Sequence, residues 1–391
     1  MHFRWSIPLA TAAGLLATSP LRASDGSSAW SAWSASPVPI DRTTLSRLDE
    51  EALARCGETD AGLAQTARVV LGRKLRGLPI PEFDDLARAQ RAAGEPHPWA
   101  RAWVASGVGA GTVETMAKLD SWLGPAPDAP ARRCGVASGV EKTGARVLAV
   151  VSIDALADLA PLPTRVRPGE WVTVEARMRV PAKGGEVLVQ GPGGPPRSLP
   201  TSFDGALLRA RFAADRAGEF QVQVMADVEG GPRPVLEATV FAGVEPEWSP
   251  ESSAAPGEEL SAGAASDEDL LDRMIRAARE SMSLPPLRRD AHLDALARGH
   301  AAQMARTGQL AHDAGDGDPF DRLREAGLEA HHAGENVAHA ATVALAHRAL
   351  WKSPSHRANL LRRQFDRVGV GIVRDGRGDA WVVELFVGDR G

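Results

Sequence analysis

The chain has 391 residues, more than one ordinary hydrophobic core accommodates, so two or three domains are expected. A hydrophobic fraction of 43% and a charged fraction of 24% are those of a globular protein, and a formal net charge of -5 is not the basic footprint of a nucleic-acid binder. Nucleic acid is therefore excluded from the expected partners.

Met1 to Arg4 gives a basic start, Trp5 to Leu16 an apolar run, and Leu21-Arg22-Ala23 a stretch before polar residues, which together outline a secretory signal peptide over residues 1–23, although Leu21 is a poor residue at the third position before a cut after Ala23. The run is too short to span a bilayer and no later one is long enough, so no transmembrane segment is expected and the mature chain should be secreted or periplasmic. The two cysteines, Cys56 and Cys134, are expected to form one disulfide in that oxidising compartment, with two buried free thiols as the alternative.

Residues 24–40 are rich in Ser, Ala and Pro around Trp30 and Trp33 and read as a flexible leader. Over 41–156 the apolar spacing is helical, as in Leu45, Leu48, Ala52 and Leu53, then Leu63, Ala67, Val70 and Leu71. From Trp171 the period falls to two, with Val172, Val174, Ala176 and Met178 alternating with polar residues. Further short runs at 186–190, 207–212, 220–226 and 235–241, with Gly/Pro turns between them, predict a small antiparallel β-sandwich over 163–243. Its Phe212 to Phe220 stretch resembles bacterial immunoglobulin-like modules, a resemblance that implies no ligand, and a spacer domain is the expectation.

Residues 244–265 carry few large apolar groups and read as a linker. The final domain, 266–391, opens with Ser266 as N-cap and a helical stripe of Leu270, Leu271, Met274, Ile275, Ala278 and Met282. Helices follow from Asp290 to Gly308, from Asp318-Pro319 through Phe320 and Leu323, from Val343 to Trp351, and from Ser353-Pro354-Ser355 to Leu361, where Ser355 is expected as a cap. Strands Val368 to Val373 and Ala380 to Phe386 flank a turn at Asp375 to Asp379. The fold class is α+β.

Several strings in this domain carry a resemblance. They are Leu310-Ala311-His312-Asp313, Pro319-Phe320-Asp321-Arg322-Leu323, Gly334-Glu335-Asn336-Val337-Ala338, Trp351-Lys352-Ser353-Pro354-Ser355-His356-Arg357-Ala358-Asn359-Leu360, Val368-Gly369-Val370-Gly371 and Trp381-Val382-Val383-Glu384-Leu385-Phe386. In this order and spacing they resemble the bacterial, SCP-like branch of the CAP superfamily over about residues 266–389. The resemblance implies an α-β-α sandwich with a central cleft in which two histidines and one or two carboxylates converge and can hold a divalent metal such as Zn. His312, His356 and Glu335 match those positions, and Glu384 would bring a second carboxylate to the cleft from the last strand. Asp316 and Asp318 lie near the place of a further family acid but match no motif.

Imidazole and carboxylate are ligand types for Zn, and three such groups leave coordination positions for water. The same three side chains can equally satisfy one another by hydrogen bonds. His300 is expected as a packed core histidine, while His331, His332, His339 and His347 cluster in sequence beside the Gly-Glu-Asn motif, a His-rich run that can bind metal but more often reads as exposed histidines. The leading expectation is an exported protein that binds an envelope or extracellular ligand, whether protein, glycan or lipid, in the His/Glu cleft. The alternatives are a metal-assisted hydrolase of peptide or cell-wall material, with Glu384 or a nearby acid as base, and a structural adhesin.

The N-terminal region parallels the C-terminal one. Phe83 to Ala89 matches Phe320 to Ala326, Trp122-Leu123-Gly124-Pro125 matches Trp351-Lys352-Ser353-Pro354, Arg133-Cys134-Gly135-Val136 matches Arg367-Val368-Gly369-Val370, and Val147 to Ile153 matches the last strand. A degenerate CAP-like domain over 41–156 is the expectation, with Leu78-Pro79 near the place of His312 and no counterpart of His356 in Ala126 to Ala131. Chance agreement of common helix and strand patterns is the alternative.

Overall fold

The computed structural model describes residues 32–33, 40–81, 83–107, 112–124, 132–229, 231–246, 254–261 and 263–388. The expected signal peptide, most of the leader including Trp30, Pro125, and the Ala126 to Ala131 stretch lie outside them.

The N-terminal unit runs α1 (Arg47–Leu53), β1 (Glu58–Thr59), α2 (Ala61–Leu75), α3 (Phe83–Ala92), β2 (Arg101–Ser106), α4 (Thr112–Leu123), β3 (Arg132–Val140) and β4 (Arg146–Asp154). Ser46 and Asp60 start α1 and α2 as N-caps, their side chains accepting from Asp49 N and Leu63 N. The strands form one sheet in the order β1-β3-β4-β2, with β1 parallel to β3 and the other pairs antiparallel. Cys56 and Cys134 are joined by a disulfide across a Cα–Cα distance of 5.8 Å, tying the loop before β1 to β3.

In the middle unit two sheets enclose one core. Strands Gly184–Gln190, Gly218–Val228 and Gly231–Ala242 belong to one sheet, Trp171–Met178 and Leu207–Ala213 to the other. Val172, Val174, Ala176, Phe212, Phe220 and Val222 are buried between them, as the period-two pattern requires. Trp33 belongs to this core as well. Ala32–Trp33 pairs with Leu162–Pro163, and the fully buried Trp33 indole donates to Thr239 O at 2.7 Å. This part of the expected leader is thus anchored, because an indole that can both bury its ring and satisfy its N–H gains from docking.

The C-terminal unit runs α5 (Asp267–Glu280), β5 (Arg288–Arg289), α6 (Ala291–Thr307), α7 (Pro319–Glu325), β6 (His332–Ala340), α8 (Val343–Lys352), α9 (Pro354–Leu360), β7 (Arg367–Arg374) and β8 (Ala380–Gly388). Strand order is β5-β7-β8-β6, again with the short strand parallel to its neighbour and the rest antiparallel. Element for element the two units share one sequence of helices and strands. Only α9 has no counterpart among the described residues.

Alternation along the sheet assigns its two faces. Val368, Val370, Val382 and Phe386 pack with α5, α8 and α9, whereas Val337, Val383, Leu385 and Val387 pack with α6 and α7. The helix α6 lies so close on β7 that a Cβ at Gly369 would collide with Leu293 and one at Gly371 with Ala297. Gly135 of β3 is pressed in the same way against Leu63 and Ala64 of α2. Within the stretch expected as a linker, Ala255 is buried and Glu258 accepts from Nε of Arg348 on α8 at 2.8 Å, so residues 254–261 are docked.

Candidate functional site at the edge of the C-terminal sheet

The strand β6 is an edge strand, so side chains from the helical layers on both faces meet around its free side. Glu335 points to the α6/α7 face, and its side chain is 1% exposed. One oxygen, Oε1, is 2.9 Å from Nδ1 of His312, on the loop between α6 and α7. The other, Oε2, accepts from Nη2 of Arg322 on α7. The same guanidinium donates from Nη1 to the carbonyls of His312, at 2.9 Å, and Gly317. Arg322 therefore neutralises the buried carboxylate and fixes the loop that carries His312.

His356 enters from the other layer, on α9. Both ends of this short helix are held by buried side chains. At its start Gln223 of the middle unit accepts from Ser355 N at 2.8 Å and donates to Ser353 Oγ at 3.1 Å. At its end the fully buried Arg279 donates to Leu360 O at 2.9 Å and Arg362 O at 3.0 Å. Nδ1 of His356 is shielded from solvent with no hydrogen-bond partner among the described residues. Burial, and then the neighbouring His312, push the His356 imidazole down to about 3, so its ring is neutral at physiological pH.

A cavity of about 100 Å³ lies beside His356. Its walls come from all three units and include Pro96, Trp99, Pro234, Leu310 and Val337. Trp99 sits at φ 67, in the left-handed region that a bulky residue rarely adopts, and its indole donates to Pro234 O at 3.1 Å.

His312, Glu335 and His356 are thus gathered at one edge, but Glu384 is not. Its register partner is Asn336, which puts it on the α8/α9 face, opposite to Glu335. There it is fully buried, accepts from Asn336 Nδ2 at 2.9 Å and lies 3.8 Å from His347 Nδ1. His347, expected as an exposed histidine, is a fully buried residue of α8. Asn336 also donates to His356 O at 3.1 Å, and Asn359 links Asn336 Oδ1 at 3.0 Å to Glu335 O at 3.2 Å. The two asparagines join the strand bearing Glu335 to the helix bearing His356.

Asp316 is spent on His300, whose Nδ1 is 2.8 Å away, while His300 Nε2 meets Ala311 O at 2.9 Å. His300 is buried as expected, 3.8 Å from Glu335. Asp318 caps α7. Ser355 is not the cap of α9; Ser353 takes that position, without a side-chain cap bond. Arg322 is not among the site residues expected from the sequence, although an arginine beside Leu323 on the buried side of a two-turn helix is a signal for a buried carboxylate.

As metal ligands, the three expected residues divide. Their donor atoms do not gather within 4.8 Å of one another among the described residues, and both Glu335 oxygens are engaged. The Glu335 carboxylate on Nδ1 instead fixes the orientation of the His312 ring and leaves its Nε2 outside that contact. What the edge offers is two imidazoles, His312 held by Glu335 and His356 near enough for His312 to depress its pKa.

The family model of the cysteine-rich secretory protein family, CAP, matches residues 273–386. Those residues form a CAP domain. A curated relative is the uncharacterized protein YkwD of Bacillus subtilis, 32% identical over 117 residues, which are 29% of this chain and 44% of that protein. The match spans less than half the length of that relative. Solved structures similar to the chain include an outer surface protein of Borrelia burgdorferi, 21% identical, covering 32% of this chain and 93% of that one at a TM-score of 0.30. An extracellular protein containing an SCP domain from Bacillus anthracis is 15% identical over 60% of this chain and 86% of its own, with a TM-score of 0.29. At such scores the fold of the CAP domain is read from its strand order and the family match alone.

Proposed function

We propose that the chain is an exported binding protein whose CAP domain takes its ligand through His312 and His356 at the β6 edge. The observation that carries this is the pairing of a buried, unpartnered His356 Nδ1 with a His312 ring already oriented by Glu335 and Arg322. A fully engaged cluster would serve stability alone; an unsatisfied ring nitrogen beside a cavity is a position for a ligand atom. A divalent cation of the Zn class is the ligand this donor pair suits, and when bound it would supply a Lewis-acid position open to oxygen or nitrogen groups of a partner molecule. The hydrolase reading names Glu384 or a nearby acid as base; Glu384 lies in the α8/α9 layer with Asn336 Nδ2 donating to it, which favours binding over that choice of base. Export is supported by the signal-like sequence 1–23 and by the disulfide.

The N-terminal unit reads as a degenerate CAP-like domain. What supports this is the common strand order, together with what stands at each site position. Gly135 lies opposite Val151 as Gly369 lies opposite Leu385, and this register sets Ala102 at the place of Glu335, Trp103 at that of Asn336 and Val150 at that of Glu384. Helix α2, packed on Gly135 at Leu63, brings Val70 to the place of His300. Apolar residues at all four positions leave no chemistry there, so this unit acts by packing and docking. The middle unit reads as an immunoglobulin-like spacer, supported by its two sheets around one core.

The binding proposal is tested by calorimetric titration of the full chain with Zn2+ at neutral pH. A site weakened in both His312→Ala and His356→Ala is expected. Zn2+ binding indifferent to both substitutions, or absent at millimolar ion, would overturn the reading.

A further inference from the structure

We propose that His339, Asp375 and Asp379 form a second divalent-cation site, of the Zn2+ class, separate from the His312/His356 pair. The three residues come together only through the fold. His339 lies near the end of β6, directly opposite Trp381 of β8, and the two aspartates bound the turn between β7 and β8. Nε2 of His339 is 3.4 Å from Oδ2 of Asp375 and 4.0 Å from Oδ2 of Asp379. All three donor atoms lie within 4.8 Å of one another. Ligands held tetrahedrally about 2.0–2.2 Å from a zinc ion are roughly 3.3–3.6 Å apart, so His339 and Asp375 already have that spacing and Asp379 lies somewhat outside it from His339.

The donors are also oriented before any ion arrives. The His339 ring stacks on Trp381 with centroids 4.1 Å apart, and the Trp381 indole donates to Asp375 Oδ2 at 3.2 Å. Asp375 Oδ1 accepts from the backbone of Arg377 at 2.9 Å and of Asp379 at 3.1 Å, which fixes the turn and leaves Oδ2 facing the histidine. An indole on one carboxylate oxygen and a ring stacked in place are the supporting contacts that metal ligands need. The side chains are 34%, 21% and 33% exposed for His339, Asp375 and Asp379, so an ion reaches them from solvent, and water or a partner group takes the fourth position. Imidazole with two carboxylates favours Zn2+ over the hard ions Ca2+ and Mg2+, which take oxygen ligands.

The site is separated from the first by titrating the full chain carrying both His312→Ala and His356→Ala with ZnCl2 by calorimetry at neutral pH. One Zn2+ per chain should remain, and adding His339→Ala or Asp379→Asn should weaken it at least about tenfold. Asp379→Asn guards against a folding artefact, since the turn uses the backbone N–H and C=O of Asp379. No Zn2+ binding by the His312→Ala/His356→Ala chain would overturn the proposal, as would binding that neither further substitution changes.

Discussion

Acidification should act on this protein through His356. Its folded-state value of about 3 lies well below the ordinary 6.5, so the unfolded chain takes up a proton that the native ring refuses. The sign follows directly: this contribution to stability is complete above about pH 6.5, declines as pH falls, and is gone below the folded value. Each unit of separation is worth about 1.4 kcal/mol, so near pH 4.5 the CAP domain should have lost roughly 3 kcal/mol through this one residue. The ring itself is read by hydrogen–deuterium exchange at the imidazole C2 position with mass spectrometry, which resolves single histidines. His356 should keep the exchange of a neutral ring down to about pH 4, and His356→Gln should flatten the fall in denaturation midpoint over the same range. A His356 midpoint at or above about pH 6 would refute the reasoning, because it would mean that the ring is neither buried nor crowded by His312.

Other consequences follow from the same geometry. Replacing Glu335 by Gln leaves the buried Arg322 with only Asp316, 3.8 Å away, as counter-charge and should cost up to about 3–5 kcal/mol, read as a lowered melting transition; an unchanged transition would mean that the pair is solvated. Truncating Gln223 to Ala strips Ser355 N of its acceptor, at about 1–3 kcal/mol, and should speed amide exchange in α9 while sparing the sandwich core. Equal protection of α9 in both proteins would show that the middle unit does not hold it. Gly371→Val should push α6 off β7 and destabilise the CAP domain by more than about 2 kcal/mol, whereas the same change at the open Gly376 should not, by thermal denaturation.

The sequence is most legible where one physical rule acts alone. Val172 to Met178 alternates because one face of that strand is buried, and Asp318-Pro319 starts α7 because the cap and the N1 proline agree. Strand β6 is not legible: Gly334, Glu335, Asn336 and His339 have low strand preference, and only pairing with β8 makes them extended. The sheet of the N-terminal unit is masked similarly, since α2 and α4 dominate its pattern. The facing of Glu384 was within reach, for period-two counting from the apolar Val382 and Phe386 turns it into the α8/α9 layer. The family resemblance, which places histidines and acids by motif, pointed to the cleft instead. Clusters assembled across long separations, such as Arg322 with Glu335 and His339 with Asp375, follow from the sheet order and from nothing local.

The most direct measurement is anomalous diffraction at the zinc edge from crystals of the full chain soaked in Zn2+. A peak bonded to His312 Nε2 and to the His356 ring, with Glu335 still on His312 Nδ1 and Arg322, is the result expected of a two-histidine site at the β6 edge. A peak that draws Glu335 into its coordination and releases Arg322, or no density between the two imidazoles, would contradict it.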